Sequence, residues 1–329
     1  MITISAALRA AVAQLDQARV DAPTTTARLL LGAVLSKSKE WLVAHGDETL
    51  DDQTQQHFNL KLKRVIAHEP LFYVLGHREF YGLDLFVDKR VLIPRPETEM
   101  LVELALKELK GERANLKSGN DDPYVSLFNA VPSLRSGDIP QFSILDIGTG
   151  SGAVPIAIAM AVNADVAVVV AKHALHVKII ATDISPDALN VAGLNAQRHG
   201  VADHITFMQA DLLDGIGVLP TVITANLPYV TREEIDGLPP EIQDHEPRVA
   251  LDGGEDGLDL VRRLLKQIAQ LTLEGNPNGS PLRAAFLEFG ASQGGAILAA
   301  AREILPNSRS AVLKDLAGLD RVLALQFAQ

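Results

Sequence analysis

The feature that most restricts the fold is a pattern repeated from Phe142 onward: a short apolar run, a polar or glycine-rich turn, then a helix-like stretch. Strands that alternate with helices pair in parallel through crossovers, so the pattern predicts a parallel sheet with helices on both faces. The expected strands are Ser143 to Ile147, Val177 to Thr182, Ile205 to Gln209, Val222 to Ala225 and Ala284 to Phe289. The end of the chain departs from it. Ala311 to Asp315 and Arg321 to Leu325 flank Ala317-Gly318-Leu319-Asp320, which predicts an antiparallel hairpin closing the sheet. Residues 1 to about 90 read instead as mostly helical, with apolar residues at helical spacing in Leu8 to Leu15, Ala27 to Leu35 and Phe58 to Ile66. Between the two regions, Tyr81 to Val87 alternates in part, as a strand or hairpin does. Pro94 and Pro96 then make an extended elbow, and a helix runs from near Thr98 through Leu109. Residues 111 to 141 turn polar and rich in Gly, Pro and Ser, the composition of a surface loop.

A chain of 329 residues, 47% of them hydrophobic, has material for two domains with substantial cores. Its longest apolar region, Ala153 to Val162, contains Pro155 and is too short to span a bilayer. The first residues carry no secretory pattern and the chain has no cysteine, so the cytoplasm is the expected location and a disulfide or thiolate metal site is excluded. A net charge of −11 argues against a broad nucleic-acid surface and is compatible with a basic protein partner. His173, His176, His199 and His204 lie scattered without a carboxylate at ligand spacing, so no metal is expected. Ser151 lacks the Gly-x-Ser-x-Gly frame of a hydrolase.

Asp146-Ile147-Gly148-Thr149-Gly150-Ser151-Gly152 joins the first expected strand to an apolar helix beginning near Ala153. Glycines there permit a tight turn and let a ligand approach backbone N–H groups at a helix start. The acidic Asp146 suits a cationic amino-acid end, as in S-adenosylmethionine, and would repel a pyrophosphate. Asp183 closes the second strand, where it can accept from ribose hydroxyls; the plainer alternative is a helix cap. It stands 35 residues after Gly148, against about 20 in the dinucleotide fingerprint, and an insertion at 163 to 176 accounts for the excess. Asp211 falls on the same carboxyl edge, where open α/β sheets bind ligands. It can accept from an adenine amino group while Leu212 packs on the ring. The fourth strand ends in Asn226-Leu227-Pro228-Tyr229. An Asn oxygen and a neighbouring backbone carbonyl can hold both protons of a planar amide or amino nitrogen. Pro228 stiffens the loop and Tyr229 offers a flat face.

Together these residues resemble the class I S-adenosylmethionine-dependent methyltransferases, and more narrowly the HemK/PrmC-type family that methylates the glutamine side-chain amide of peptide chain release factors. The matching segments are Glu69 to Gly76, Glu79 to Gly82, Leu92 to Glu99, Asp146 to Gly152, Asn226 to Tyr229, Glu246-Pro247, Gly253 to Leu258 and Asp315 to Gly318. The resemblance implies a Rossmann-like mixed seven-stranded sheet with helices on both faces. It implies a helical substrate-recognition domain over 1–80, a hairpin and linker over 81–98, and a methyltransferase domain over 99–329. It also implies that Gly148, Thr149, Gly150, Ser151 and Gly152 cradle S-adenosylmethionine, with Asp146 at its amino-acid end, Asp183 on the ribose and Asp211 and Leu212 about the adenine. Asn226 and the Leu227 carbonyl would then hold the glutamine amide, Pro228 and Tyr229 complete that site, and the elbow residues Arg95 and Glu97 lie at the substrate. A monomer without a nucleic-acid or membrane partner is expected.

Leu227 stands where the family usually has a second proline, and Asn-Leu-Pro-Tyr resembles the motif of ribosomal-RNA adenine dimethyltransferases. The acidic charge, the preceding helical region and the Arg95 to Thr98 elbow weigh against adenine in RNA. A glutamine methyltransferase acting on a ribosomal protein is the nearer alternative.

Overall fold

The computed structural model describes residues 2–111, 141–165, 176–216, 220–274 and 281–327. The loop expected over 111–141, apart from its first and last residues, and most of the insertion expected over 163–176 with its His173, lie outside the described residues; Gln141 itself opens a strand. Two compact units are present: residues 1–78 with 87–89 and 238–246, and residues 79–86 with 90–237 and 247–329.

The first unit is helical: α1 (Ile4–Gln17), α2 (Pro23–Leu35), α3 (Lys39–Ala44), α4 (Asp52–Ile66) and α5 (Leu71–Leu75). Local chemistry sets the helix starts. Thr3 caps α1 by accepting from the Ala6 amide at 3.2 Å, and Asp51 caps α4 by accepting from Thr54 at 2.7 Å. Ile4, Ala7, Ala11 and Leu15 form one stripe of α1 and are buried against Leu30 and Leu31 of α2 and Phe58 and Leu62 of α4. A buried leucine there contributes roughly 2 kcal/mol by removal from water.

The chain next forms a hairpin of β1 (His77–Phe80) and β2 (Leu83–Phe86). Tyr81 and Gly82 are its turn, at φ of 52° and 75°, the left-handed pair that a two-residue hairpin requires. The elbow follows, its Pro96–Thr98 segment making a 3-10 turn that leads into α6 (Glu99–Leu109).

The second unit is built on β3 (Gln141–Ile147), α7 (Ala153–Asp165), β4 (His176–Asp183), α8 (Pro186–Arg198), β5 (Ile205–Gln209), β6 (Val222–Asn226), α9 (Arg232–Ile235), α10 (Pro240–Gln243), α11 (Asp259–Glu274), β7 (Ala284–Glu288), α12 (Gly294–Ile304), β8 (Arg309–Lys314) and β9 (Asp320–Gln326), with α10 grouped in the first unit. The strand order is β5-β4-β3-β6-β7-β9-β8, parallel through β7, with β9 antiparallel to both neighbours. This is the expected mixed seven-stranded sheet. Residues of α6 and α7 cover one face with Ile144, Val222 and Phe286; α11 and α12 cover the other with Leu145, Ile223 and Leu287. The order reverses between β3 and β6, the switch point at which such sheets open a crevice at their carboxyl ends. Among the described residues no helix is long and apolar enough to cross a membrane.

Candidate active site

A cavity of about 650 Å³ lies at that switch point. Its walls come from the carboxyl ends of four adjacent strands: Asp146 to Ser151 after β3, Asp183 to Ser185 after β4, Ala210 to Leu212 after β5 and Asn226 to Pro228 after β6. Arg95 and Thr98 of the elbow line it as well. Twelve of the residues singled out in the sequence therefore meet in one cavity: Arg95, Asp146, Gly148, Thr149, Gly150, Ser151, Asp183, Asp211, Leu212, Asn226, Leu227 and Pro228.

Asp146 is buried, and its Oδ1 accepts from the Thr224 hydroxyl at 2.8 Å. Burial pushes its carboxyl up to about 7, the Thr224 and Thr149 hydroxyls offsetting part of the rise. Among the described residues the buried Thr149 hydroxyl itself closes no hydrogen bond of normal geometry. A buried carboxyl beside an unsatisfied hydroxyl, both facing the cavity, fits the ammonium and carboxylate of an amino acid. The loop leaves room for it. Gly148 and Gly150 take left-handed φ of 72° and 54°, and a Cβ on Gly152 would meet Ile156 Cδ1 at 2.9 Å and Ala192 Cβ at 3.0 Å.

Asp183 ties the first two turns together, accepting from the Gly150 amide through Oδ2 and from the Ser185 amide through Oδ1, both at 2.9 Å. Each oxygen keeps a further lone pair for a ligand hydroxyl. The capping of α8 falls to Ser185, whose hydroxyl accepts from Ala188 at 3.2 Å, so Asp183 is not the cap. Asp211 is paired at the rim with Arg263 at 2.9 Å. Leu212 is buried at φ 55°, a conformation that is unusual for a branched residue, in a turn fixed by Gln267, which bonds the Leu213 amide and the Asp214 carboxylate.

Asn226 ends β6 with its Nδ2 donating to Thr98 Oγ1 at 3.0 Å. That bond turns Oδ1 away from Thr98, as an acceptor. Leu227, in the place of the usual proline, is buried, and its Cδ2 lies 3.3 Å from where a Cβ on Gly148 would stand. Its side chain thus packs over the cofactor loop and supplies by contact some of the rigidity a proline supplies through φ. A Cβ on Gly253 would fall 2.7 Å from the Pro228 carbonyl oxygen, the Gly257 carbonyl oxygen and Tyr229 Cα, so the Gly253 to Leu258 loop backs the tetrapeptide closely. Gln293 holds the pair: its Nε2 donates to the carbonyls of Tyr229 at 2.9 Å and Asp256 at 3.1 Å, while Oε1 accepts from Gly290 at 2.9 Å.

Three expected residues stand outside the cavity lining. Gly152 lies just beneath it; Glu97 is exposed; Tyr229 is half-buried in the field of Glu288, Arg321, Arg95 and Glu97. Burial pushes the Tyr229 phenol up to about 12 and keeps it neutral. The sequence reading passed over Thr98 as a site residue, along with Gln293 and Glu288. A signal existed for Glu288: it closes Ala284-Ala285-Phe286-Leu287-Glu288, and a charge at the end of an all-apolar strand marks a buried carboxyl.

The family model of the PrmC N-terminal domain matches residues 6–76. The chain is 35% identical over 322 residues to a release factor glutamine methyltransferase of Moorella thermoacetica, covering 97% of both chains. It is 32% identical to one from Rhodopirellula baltica, covering 94% of this chain and 90% of that one. Among solved structures, the N-terminal domain of human METTL16 in complex with SAH is 15% identical, covering 91% of this chain and 94% of that one at a TM-score of 0.47. With identity above 30% along nearly its whole length, a switch-point cavity and the Asn226 tetrapeptide at its wall, the chain belongs to the release factor glutamine methyltransferase family.

Proposed function

We propose that this protein transfers the methyl group of S-adenosylmethionine to the side-chain amide nitrogen of a glutamine, in the Gly-Gly-Gln motif of peptide chain release factors. The observation that carries the reading is the Asn226 to Thr98 hydrogen bond, which leaves Asn226 Oδ1 as an acceptor at the wall of a cavity suited to that cofactor. The names of the relatives support the choice of substrate.

Bound S-adenosylmethionine supplies an activated methyl group, so the residues need only bind, orient and exclude water. Gly148 to Gly152 cradle its amino-acid end against Asp146; Asp183 accepts from its ribose hydroxyls; Asp211 and Leu212 flank its adenine. Asn226 Oδ1 and the Leu227 carbonyl accept the two amide protons of the glutamine. That raises electron density on the nitrogen and fixes the amide plane; as its bond to the methyl carbon forms, the carbon–sulfur bond breaks, and the excess amide proton leaves to solvent. Pro228 keeps the two acceptors in register, and Tyr229, Arg95 and Glu97 contact the loop carrying the glutamine. Most of the acceleration then comes from proximity and orientation. Residues 1–80 recognise the factor, 81–98 link, and 99–329 catalyse; the product is S-adenosylhomocysteine, and the protein works as a cytoplasmic monomer.

Incubation with methyl-labelled S-adenosylmethionine and a release factor, ribosomal RNA or ribosomal proteins in turn tests this directly. Label is expected on the glutamine of the factor; label on an RNA adenine, or on a ribosomal protein alone, would overturn the reading. Asn226→Ala should lower transfer on the order of 10²–10³-fold, as loss of one precisely placed polar group does, with cofactor binding kept.

A further inference from the structure

Glu288 ends β7 in register with Asn226 at the end of β6, so the two side chains project from the same face of the sheet, the face that α6 covers. The Glu288 side chain is buried, at 1% exposure, and among the described residues neither carboxylate oxygen closes a hydrogen bond. A buried carboxyl that closes no full hydrogen bond is expensive, and a fold retains one where it has work. The mechanism above gives it none. The Thr98 hydroxyl accepts from Asn226 Nδ2 at 3.0 Å and lies within the reach of the Glu288 carboxyl.

We propose that Glu288 is a positioning residue of this site: acting through the Thr98 hydroxyl, its carboxylate sets the direction of the hydrogen bond to Asn226 and so keeps Asn226 Oδ1 turned to the cavity. The inference rests on the glutamine-methylating reading for its consequence in turnover, but not for its geometry. A threonine hydroxyl has one proton. When Glu288 is ionised it accepts a hydrogen bond from that hydroxyl, and the Thr98 oxygen is left only to accept from Asn226, which fixes Asn226 with Nδ2 towards Thr98. When Glu288 is protonated it donates to the Thr98 oxygen, and the hydroxyl proton is left to seek an acceptor on Asn226. The amide then flips, its NH2 group faces the cavity, and it opposes the N–H groups of an incoming amide. The charged and titratable groups that face Glu288 are Arg321 on β9, Tyr229 of the tetrapeptide, and Arg95 and Glu97 of the elbow; Arg321 is itself paired with Asp315. Burial is the largest influence and raises the carboxyl to about 7, with Thr98 and Arg321 lowering it in part.

Two measurements on the full chain test the link. The first follows the ¹⁵N-labelled side-chain NH2 signal of Asn226, assigned by its absence in Asn226→Ala, from pH 6 to 8. It should titrate near 7 in the wild type and stay fixed in Glu288→Gln. The second follows methyl transfer to a release factor over the same range: the wild-type kcat should fall about tenfold per pH unit on the acid side, while Glu288→Gln gives a lower, flat profile. Thr98→Val should lower kcat about 10–100-fold with the KM for S-adenosylmethionine unchanged, and Thr98→Ser should restore it. An Asn226 signal that does not move in the wild type, or that moves equally in Glu288→Gln, overturns the proposal. A titrating signal in a protein that leaves release factors unmethylated would instead overturn the proposed function and leave the positioning role standing.

Discussion

Burial lifts the Asp146 carboxyl to about 7, the Thr224 and Thr149 hydroxyls pull it down and the Asp183 charge pushes it further up. A ligand ammonium set against it favours the ionised form. Binding of S-adenosylmethionine below pH 7 should therefore release a proton, and its affinity should tighten as pH rises through about 7 and level off above. Calorimetry in two buffers of different ionisation enthalpy measures the proton count directly. Asp146→Asn should bind more weakly, by about tenfold or more, and release none. If it releases as many protons as the wild type, the ammonium does not sit at Asp146. At Asp183, after the neighbouring strand, burial likewise raises the carboxyl, and the amides of Ser185, Gly150 and Ile184 offset part of the rise.

At the level of elements, two side-chain amides fasten loops that the sequence cannot pair by pattern. Asn195 of α8 accepts from the Phe86 amide at 2.7 Å and donates to the carbonyls of Phe86 and Ser151, each at 2.9 Å, joining β2 to the cofactor loop. Asn195→Ala takes a partner from the buried Ser151 carbonyl, at roughly 1–3 kcal/mol before water enters, and from the half-buried Phe86 amide and carbonyl. The expected result is a fall in the urea midpoint with loss of cofactor affinity; an unchanged midpoint would show that the amide fastens nothing. Gln293→Leu frees the Tyr229 carbonyl instead, and should raise the KM for the release factor more than that for the cofactor, since the loop it holds lies on the substrate side. Steady-state kinetics with each substrate varied in turn separates the two. The same residues mark what could be read in the sequence. Strands β3 to β7 were legible because each is an apolar run ended by a polar turn. The cofactor loop was legible because Asp146, three glycines and a helix start are contiguous. The helices α3 and α5, of six and five residues, are too short to show a period. Tyr81 continued the alternation of a strand, yet it is the turn, held by its amide donating to Glu99 at 2.9 Å. Thr98, Glu288 and Gln293 act across 128, 62 and 64 residues of chain, and only the strand order brings them to one edge.

For the whole molecule, the buried carboxyls set how stability responds to pH. Asp146 and Glu288 both titrate near 7 in the fold, against 3.8 and 4.5 as ordinary carboxyls. Between those values and about 7 the folded chain holds protons that the unfolded chain has released, so stability falls as pH rises across the window. Their favourable contribution is complete below about 4 and gone above about 7. The surface carboxyls run the other way. Asp256 is held low by Arg262, Glu69 by Arg64, and Asp315 by the Leu319 amide and Arg321, and what they add is present above about 4 and lost in acid. The first two pairs are partly exposed and contribute little, whereas at a dry site every tenfold change in a carboxyl's proton affinity is worth about 1.4 kcal/mol. The buried pair therefore dominates from pH 5 to 8, and a net charge of −11 at pH 7 adds self-repulsion in the same direction. The urea midpoint should peak between pH 5 and 6 and decline to pH 8. Asp146→Asn combined with Glu288→Gln should flatten that decline and be the more stable protein at pH 8, by an amount on the order of a few kcal/mol. Because both groups belong to the unit that carries the cavity, hydrogen exchange of the β6 and β7 amides should report the same trend, while exchange in α1 and α4 should not. A wild-type midpoint that climbs steadily from pH 5 to 8 would mean that both carboxyls are ionised at little cost, and that the site is wetter than its burial indicates.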